Sequence, residues 1–230
     1  MRLAALVSGG KDSLYAAYLA IKDHEAANEI KYIVSIISEN PESYMFHVPN
    51  AALVAKQAES MQLPLIQKST KGEKEKELND LKNVLAEIRN EIDGVVAGAI
   101  ESNYQKKRIE HICSELDLQL IAPLWHKEPA ELLRSMLSAG FEIIITAVAA
   151  PPLDEKWLGR KIDEQCISDL IKLNKNYGIH IAFEGGEAES FVLFCPMFNK
   201  RVDILDSTKH WDVNTRAGWL EIKKVRLVDI

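Results

Sequence analysis

The sequence predicts an α/β fold: a parallel-sheet domain followed by a smaller α+β domain, within 230 residues. Three observations lead there. Apolar runs of strand length alternate with helical patterns through the first half, which implies right-handed βαβ units and a parallel sheet. In the second half, several strand-like runs follow a last helix without helices between them, the pattern of an α+β unit. Pro123-Leu124-Trp125 separates the two patterns, so we expect domains at 1–124 and 125–230.

Each element has a local reason. Residues 3–7 are an apolar opening strand. A glycine turn leads into a helix over 13–22, with Leu14, Ala17, Tyr18 and Ile21 on one face. Residues 30–37 are rich in Ile and Val and read as a buried strand. Asn50 is placed to cap a helix that reaches Met61, and 64–67 is a short strand. A helix is expected over 71–92, where the charge run 71–77 forms a solvated face with i,i+4 pairs. Residues 95–100 are a buried strand, 103–116 a helix, and 118–122 a strand stopped by Pro123. Beyond the boundary, 128–139 is helical until Gly140, and 141–149 is a strand that ends at Pro151-Pro152. Residues 166–176 are helical until Gly178, and 190–194, 201–206 and 219–228 are strands.

Composition narrows the function. Apolar residues make up 47%, enough for an ordinary core. The net charge is −6, whereas nucleic-acid binders usually carry a basic domain. That argues against tRNA or DNA as a stable partner. Cys113, Cys166 and Cys195 stand far apart, with no C-x-x-C pair for zinc or dithiol chemistry. Unpaired cysteines suit a reducing compartment. No charged-then-apolar leader opens the chain, and no apolar run approaches a membrane span. The expectation is a cytoplasmic protein without membrane contact. No motif decides the oligomeric state, and a homo-oligomer stays open.

The strongest chemical signal is Ser8-Gly9-Gly10-Lys11-Asp12-Ser13, between the first strand and the first helix. Gly9 and Gly10 lack a Cβ, so their backbone can approach a phosphate closely. The amides that open the next helix are unsatisfied and form an anion site. Ser8 and Ser13 add hydroxyls, and Lys11 adds a point charge. Asp12 would repel a bare phosphate, so it is expected to hold Mg²⁺ that bridges phosphate oxygens. Ligands in open parallel sheets bind at the carboxyl ends of strands. The turn after 95–100 should reach the same edge, which brings Gly98 and Ser102 into the expected nucleotide site.

The loop resembles that of the PP-loop ATP pyrophosphatases, which cleave ATP to AMP and pyrophosphate. Four further segments narrow the family. They are Tyr44-Met45-Phe46-His47-Val48-Pro49-Asn50; Gly98-Ala99-Ile100-Glu101-Ser102-Asn103-Tyr104-Gln105 with Arg108; Leu153-Asp154-Glu155-Lys156-Trp157-Leu158-Gly159-Arg160; and Glu184-Gly185-Gly186-Glu187-Ala188-Glu189-Ser190. With the loop, in this order, they resemble the diphthine–ammonia ligase (diphthamide synthetase) family over nearly the whole chain. The family pattern has Gly where Phe183 stands, an aromatic residue at Ala188 and Thr at Ser190.

The resemblance implies a Rossmann-like, adenine nucleotide α-hydrolase-like domain. It also implies a reaction: ATP adenylates the diphthine carboxylate on translation elongation factor 2, and ammonia converts it to an amide. Ammonia arrives as ammonium and needs an anionic site and a proton acceptor. Glu184, Glu187 and Glu189 are the candidates, and Glu187 and Glu189 share a side if their segment is a strand. A solvated Gly-Gly turn is the competing reading of those residues. Tyr104, Gln105, Arg108 and Ser190 are expected at the substrate. Arg108 could clamp a phosphate or carboxylate. His47 is a substrate ligand or a satisfied histidine beside Pro49, and Trp157 a substrate contact or a structural ring. Tyr104, Trp125 and Trp157 could face the trimethylammonium group of the acceptor. No cysteine nucleophile for glutamine stands at position 2, which is Arg2, so free ammonium is the expected nitrogen source. Two other readings stay open: a tRNA-modifying PP-loop enzyme, and a sensor that binds ATP or AMP without catalysis.

Overall fold

A computed structural model of the chain describes residues 1–23, 27–38, 50–71, 76–100 and 103–230. It forms two compact units, Met1–Trp125 and His126–Ile230. In the first unit, β1 (Arg2–Leu6), β2 (Glu29–Ser38), β3 (Leu65–Thr70), β4 (Gly94–Val96) and β5 (Gln119–Ile121) make one sheet in the order β3-β2-β1-β4-β5. Every neighbouring pair is parallel. The helices α1 (Lys11–Lys22), α2 (Val54–Met61), α3 (Lys76–Glu87) and α4 (Asn103–Glu115) alternate with the strands. This is the parallel sheet that the alternation predicts, in the Rossmann-like arrangement that the resemblance implies.

The strand order matters for the site. The chain winds outward from β1 through β2 to β3, then returns to β4 on the other side of β1. The connections after β1 and β4 therefore leave in opposite directions, which makes the carboxyl ends of that pair the place where ligands bind in open α/β sheets. Apolar burial holds the sheet: Ala4, Val34, Val95 and Ala97 of the sheet region pack with Leu81, Leu85, Ile109 and Ile112 of α3 and α4.

The second unit contains α5 (Pro129–Ser138), β6 (Glu142–Val148), α6 (Glu164–Tyr177), β7 (Ala188–Phe194), β8 (Lys200–Asp212) and β9 (Ala217–Asp229). Its sheet runs β7-β6-β9-β8 and is antiparallel throughout. Ile143, Ile145, Phe191, Val192, Val202 and Leu220 of this sheet are buried. Among the described residues, no helix is long and apolar enough to cross a membrane.

Several boundaries differ from the sequence expectation, each for a local reason. β8 runs to Asp212 rather than stopping at 206, because β9 pairs with it as far as Asp212↔Ala217. β4 ends at Val96, and the chain leaves the sheet at the turn that carries Gly98. Asn50 has φ +70° and makes no side-chain capping hydrogen bond; it opens a short 3-10 turn, Ala51–Leu53, that precedes α2. α6 starts two residues earlier than expected, because the Asp163 carboxylate accepts a hydrogen bond from the Cys166 amide at 2.7 Å. α3 covers Lys76–Glu87 of the expected 71–92, and 72–75 lie outside the described residues.

Candidate active site

The first group of site residues is built around the end of β1. The Val7 amide still bonds the Val34 carbonyl at 2.9 Å, and the chain then turns through Gly9 at φ +91°. That left-handed conformation is one that glycine adopts without a Cβ penalty. Gly10 caps α1 and, being glycine, offers its first amides no side-chain acceptor of its own. Ser13 braces the loop from inside: its hydroxyl donates to the Gly10 carbonyl at 3.1 Å and accepts from the Ser8 amide at 3.3 Å. The Ser8 and Ser13 hydroxyl oxygens are 3.4 Å apart. Part of the hydroxyl capacity expected to meet phosphate is thus used to shape the loop.

Lys11 is almost fully buried, and its ammonium lies 2.7 Å from Asp12 Oδ2. The pair neutralises a cation that burial would otherwise penalise. Asp12 Oδ1 is buried and makes no hydrogen bond. An orphaned carboxylate oxygen beside an anion loop fits a hard cation that takes one protein carboxylate and completes its shell with phosphate oxygens. Among the described residues, no group of three His, Cys, Asp or Glu side chains could hold a metal alone.

Two neighbours fasten the loop from outside. Gly98 lies against the first turn of α1: a Cβ there would stand 2.6 Å from the Asp12 carbonyl carbon and from the Ser13 nitrogen. The turn after β4 thus reaches the loop after β1, at the reversal of strand order. The second neighbour is Gln57 on α2, which sequence reasoning missed. Its side chain is fully buried, and its Nε2 donates to the Gly9 carbonyl at 3.1 Å. The available signal was a glutamine among Val54, Ala58 and Met61 on the buried face of α2. Ser35, fully buried on β2, is another polar residue in an apolar stretch.

The other expected residues of this unit are placed as follows. Arg108 is half-buried in the second turn of α4. Lys106 sits over the Trp125 ring, 4.2 Å from its centre. His47 and Ser102 lie outside the described residues, as do the side chains of Tyr104 and Gln105 in the first turn of α4.

The second group lies in the other unit, just before β7. β7 begins at Ala188, so Glu187 precedes the strand and alternation does not pair it with Glu189. Its carboxylate folds back instead. Oε1 accepts from the His180 amide at 2.7 Å, and Oε2 from the Gly185 amide at 3.0 Å. Sequence reasoning missed His180 too. Its Nδ1 accepts from the Ala182 amide at 3.1 Å and the Glu184 amide at 3.3 Å. Glu184 and Glu189 are half-buried, and Ser190 is buried on β7 opposite Ile145. Trp157 is buried, and the Arg160 guanidinium covers its ring at 4.4 Å while pairing with Asp169 at 2.6 Å. One face of that ring is therefore already occupied by a cation.

Comparison with known proteins adds the family. The family model for the diphthamide synthase N-terminal domain matches residues 1–120, and that for the C-terminal domain matches 128–228. The chain is 36% identical to a human protein named diphthine–ammonia ligase over 230 residues, covering 91% of this chain and 84% of that one. It is 35% identical to the Danio rerio protein of that name, covering 100% and 97%. The Saccharomyces cerevisiae protein of that name is 30% identical and longer, with 97% of this chain matching 37% of it. A solved chain described as a predicted subunit of a tRNA methyltransferase, from Methanocaldococcus jannaschii, is 17% identical with a TM-score of 0.46, covering 85% and 98%. Both domain models in order, with 30–36% identity across those relatives, decide the matter: the chain belongs to the diphthamide synthase family.

Proposed function

We propose that this protein is an AMP-forming amide ligase, a diphthine–ammonia ligase that acts on translation elongation factor 2 in the cytoplasm. The observation that carries the reading is the Ser8-Gly9-Gly10-Lys11-Asp12-Ser13 loop at the strand-order reversal, in a chain whose relatives bear that name.

The chemistry follows from the acceptor. A carboxylate is a poor electrophile and its oxygen a poor leaving group. Its oxygen attacks the α-phosphorus of ATP, the bond to the β-phosphate breaks, and pyrophosphate leaves with the electron pair. Ammonium then gives up a proton, the freed nitrogen attacks the acyl carbon, and AMP departs as the nitrogen loses a second proton.

The first unit binds ATP and stabilises the leaving pyrophosphate. Gly9, Gly10 and the first amides of α1 face the phosphates, a fixed electrostatic stabilisation that needs no rearrangement during reaction. Ser8, Ser13, Gly98 and Ser102 shape or line that site. Lys11 supplies positive charge. Asp12 would hold Mg²⁺ through Oδ1, and the ion would neutralise charge on the phosphates. The second unit supplies the carboxylates of the ammonium step: Glu184 and Glu189 hold ammonium and take its proton, while both oxygens of Glu187 already accept loop amides. His47, Tyr104, Gln105, Arg108, Trp157 and Ser190 are assigned to substrate contact. A net charge of −6 favours a protein over tRNA as acceptor.

One assay tests this. The protein is mixed with ATP, Mg²⁺, ammonium and elongation factor 2 that carries diphthine. We expect AMP release and conversion of the acid to the amide, read by mass. Asp12→Ala should abolish both, at some cost in stability because it removes the carboxylate beside the buried Lys11 ammonium. Neither AMP nor amide from the wild-type protein overturns the reading.

A further inference from the structure

The loop 180–187 accounts for its backbone amides in an unusual way. Of the seven amides from His180 to Gly186, two bond within the turn: Phe183 to the His180 carbonyl at 3.0 Å, and Gly186 to the Phe183 carbonyl at 3.2 Å. Four others go to two side chains. His180 and Gly185 donate to Glu187, while Ala182 and Glu184 donate to Nδ1 of His180. The two side chains interlock, because the His180 amide is itself held by the Glu187 carboxylate. Gly185 is part of the same lock: a Cβ there would stand 2.6 Å from Glu187 Oε1.

We infer that His180 and Glu187 are positioning residues, which set the 180–187 loop so that Glu184 and Glu189 are presented for the ammonium step. This rests on the proposed ligase reading and assigns Glu187 a different task from its two neighbours. Both oxygens of Glu187 accept amides of its own loop, which leaves it poorly suited to take a proton from ammonium. Glu184 follows two locked amides and Glu189 enters β7 directly, so both inherit their placement from the lock.

The geometry names which atom of His180 matters. Nδ1 accepts from the amide two residues ahead, the hydrogen bond that an asparagine Oδ1 makes in an Asx turn. Asparagine at 180 can therefore replace the function, whereas glutamine carries its oxygen one bond too far out. His180→Ala should lower kcat for amide formation about a hundredfold, the scale expected when a reacting group is misplaced by about 1 Å. The ATP KM should stay near wild type. His180→Asn should restore most of the rate, and His180→Gln should not.

Hydrogen exchange provides a reading independent of turnover. The Ala182 and Glu184 amides should exchange faster in the Ala and Gln variants and stay protected in the Asn variant. Wild-type kcat in the Ala variant, or a folded Asn variant no better than Ala, overturns the inference. Unchanged exchange at 182 and 184 in the Ala and Gln variants also overturns it. If the wild-type protein makes no amide, the ligase reading fails by itself, and unchanged exchange would still refute the lock.

Discussion

A methyl group at position 98 would meet backbone rather than a side chain that could turn away. Gly98→Ala therefore forces β4 and the anion loop apart. We expect a loss of about 1–3 kcal/mol in stability, the usual cost of overpacking, together with weaker ATP binding; denaturant unfolding and titration calorimetry measure the two. The loop glycines carry a phosphate-binding signature in the sequence, while Gly98 as a spacer for α1 emerges only when β4 lies beside β1. Phe183 stands where the family pattern has glycine, and its φ is +67°. The left-handed conformation costs a non-glycine residue roughly 1–2 kcal/mol. Burial of the phenyl ring, 6% exposed, offsets that by about 1.5–3 kcal/mol. The three cysteines lie in the core, and burial pushes Cys113 and Cys166 up to about 11 and Cys195 up to about 12. Thiolate is the reactive form, so the folded protein should resist a thiol reagent near pH 8 and expose all three thiols in denaturant. Fast labelling of the native protein would contradict that burial.

At the scale of elements, β1 and β4 are the pair that frames the proposed nucleotide site, yet their ladder spans only Leu3–Ala5 against Gly94–Val96. Arg2 and Asp93 extend it at the amino ends. The Arg2 amide donates to Asp93 Oδ2 at 2.7 Å, the Asp93 amide to the Arg2 carbonyl at 2.7 Å, and the guanidinium to Oδ1 at 2.7 Å. The guanidinium first, then the Arg2 amide, hold the Asp93 carboxyl down from its ordinary 3.8 to about 2. A carboxyl lowered on folding adds stability above its unfolded pKa and loses it as pH falls through the folded value. Asp93→Asn should therefore unfold at lower urea than wild type near pH 7, with the difference vanishing toward pH 2. A constant difference across that range would mean that the carboxylate charge is not the cause. Polar patterning hid other elements. Ser207, Thr208 and Lys209 lie beyond the expected strand 201–206, but β9 supplies their backbone partners and they continue β8. The start of α6 depends on Asp163, a cap residue that was visible in the sequence and left outside the expected helix.

The whole molecule divides into two compact units, Met1–Trp125 and His126–Ile230. The braces of the anion loop, from Ser13, Gln57 and Gly98, all come from residues before Trp125, and the lock of the 180–187 loop comes from residues after it. A fragment that ends at Trp125 is expected to unfold cooperatively, with a single calorimetric transition; a fragment without one would mean that the first unit needs the second to fold. The sequence by itself determined the parallel sheet, the anion loop after its first strand and the family, because strand and helix periods and the glycine turn are local properties. The tertiary structure alone decided that β4 lies beside β1, that Gln57 and Gly98 brace the loop, and that Glu187 and His180 close on each other's backbone. Those pairings join residues distant in the chain, or depend on a turn's dihedral angles. Neither leaves a periodic trace in the order of side chains.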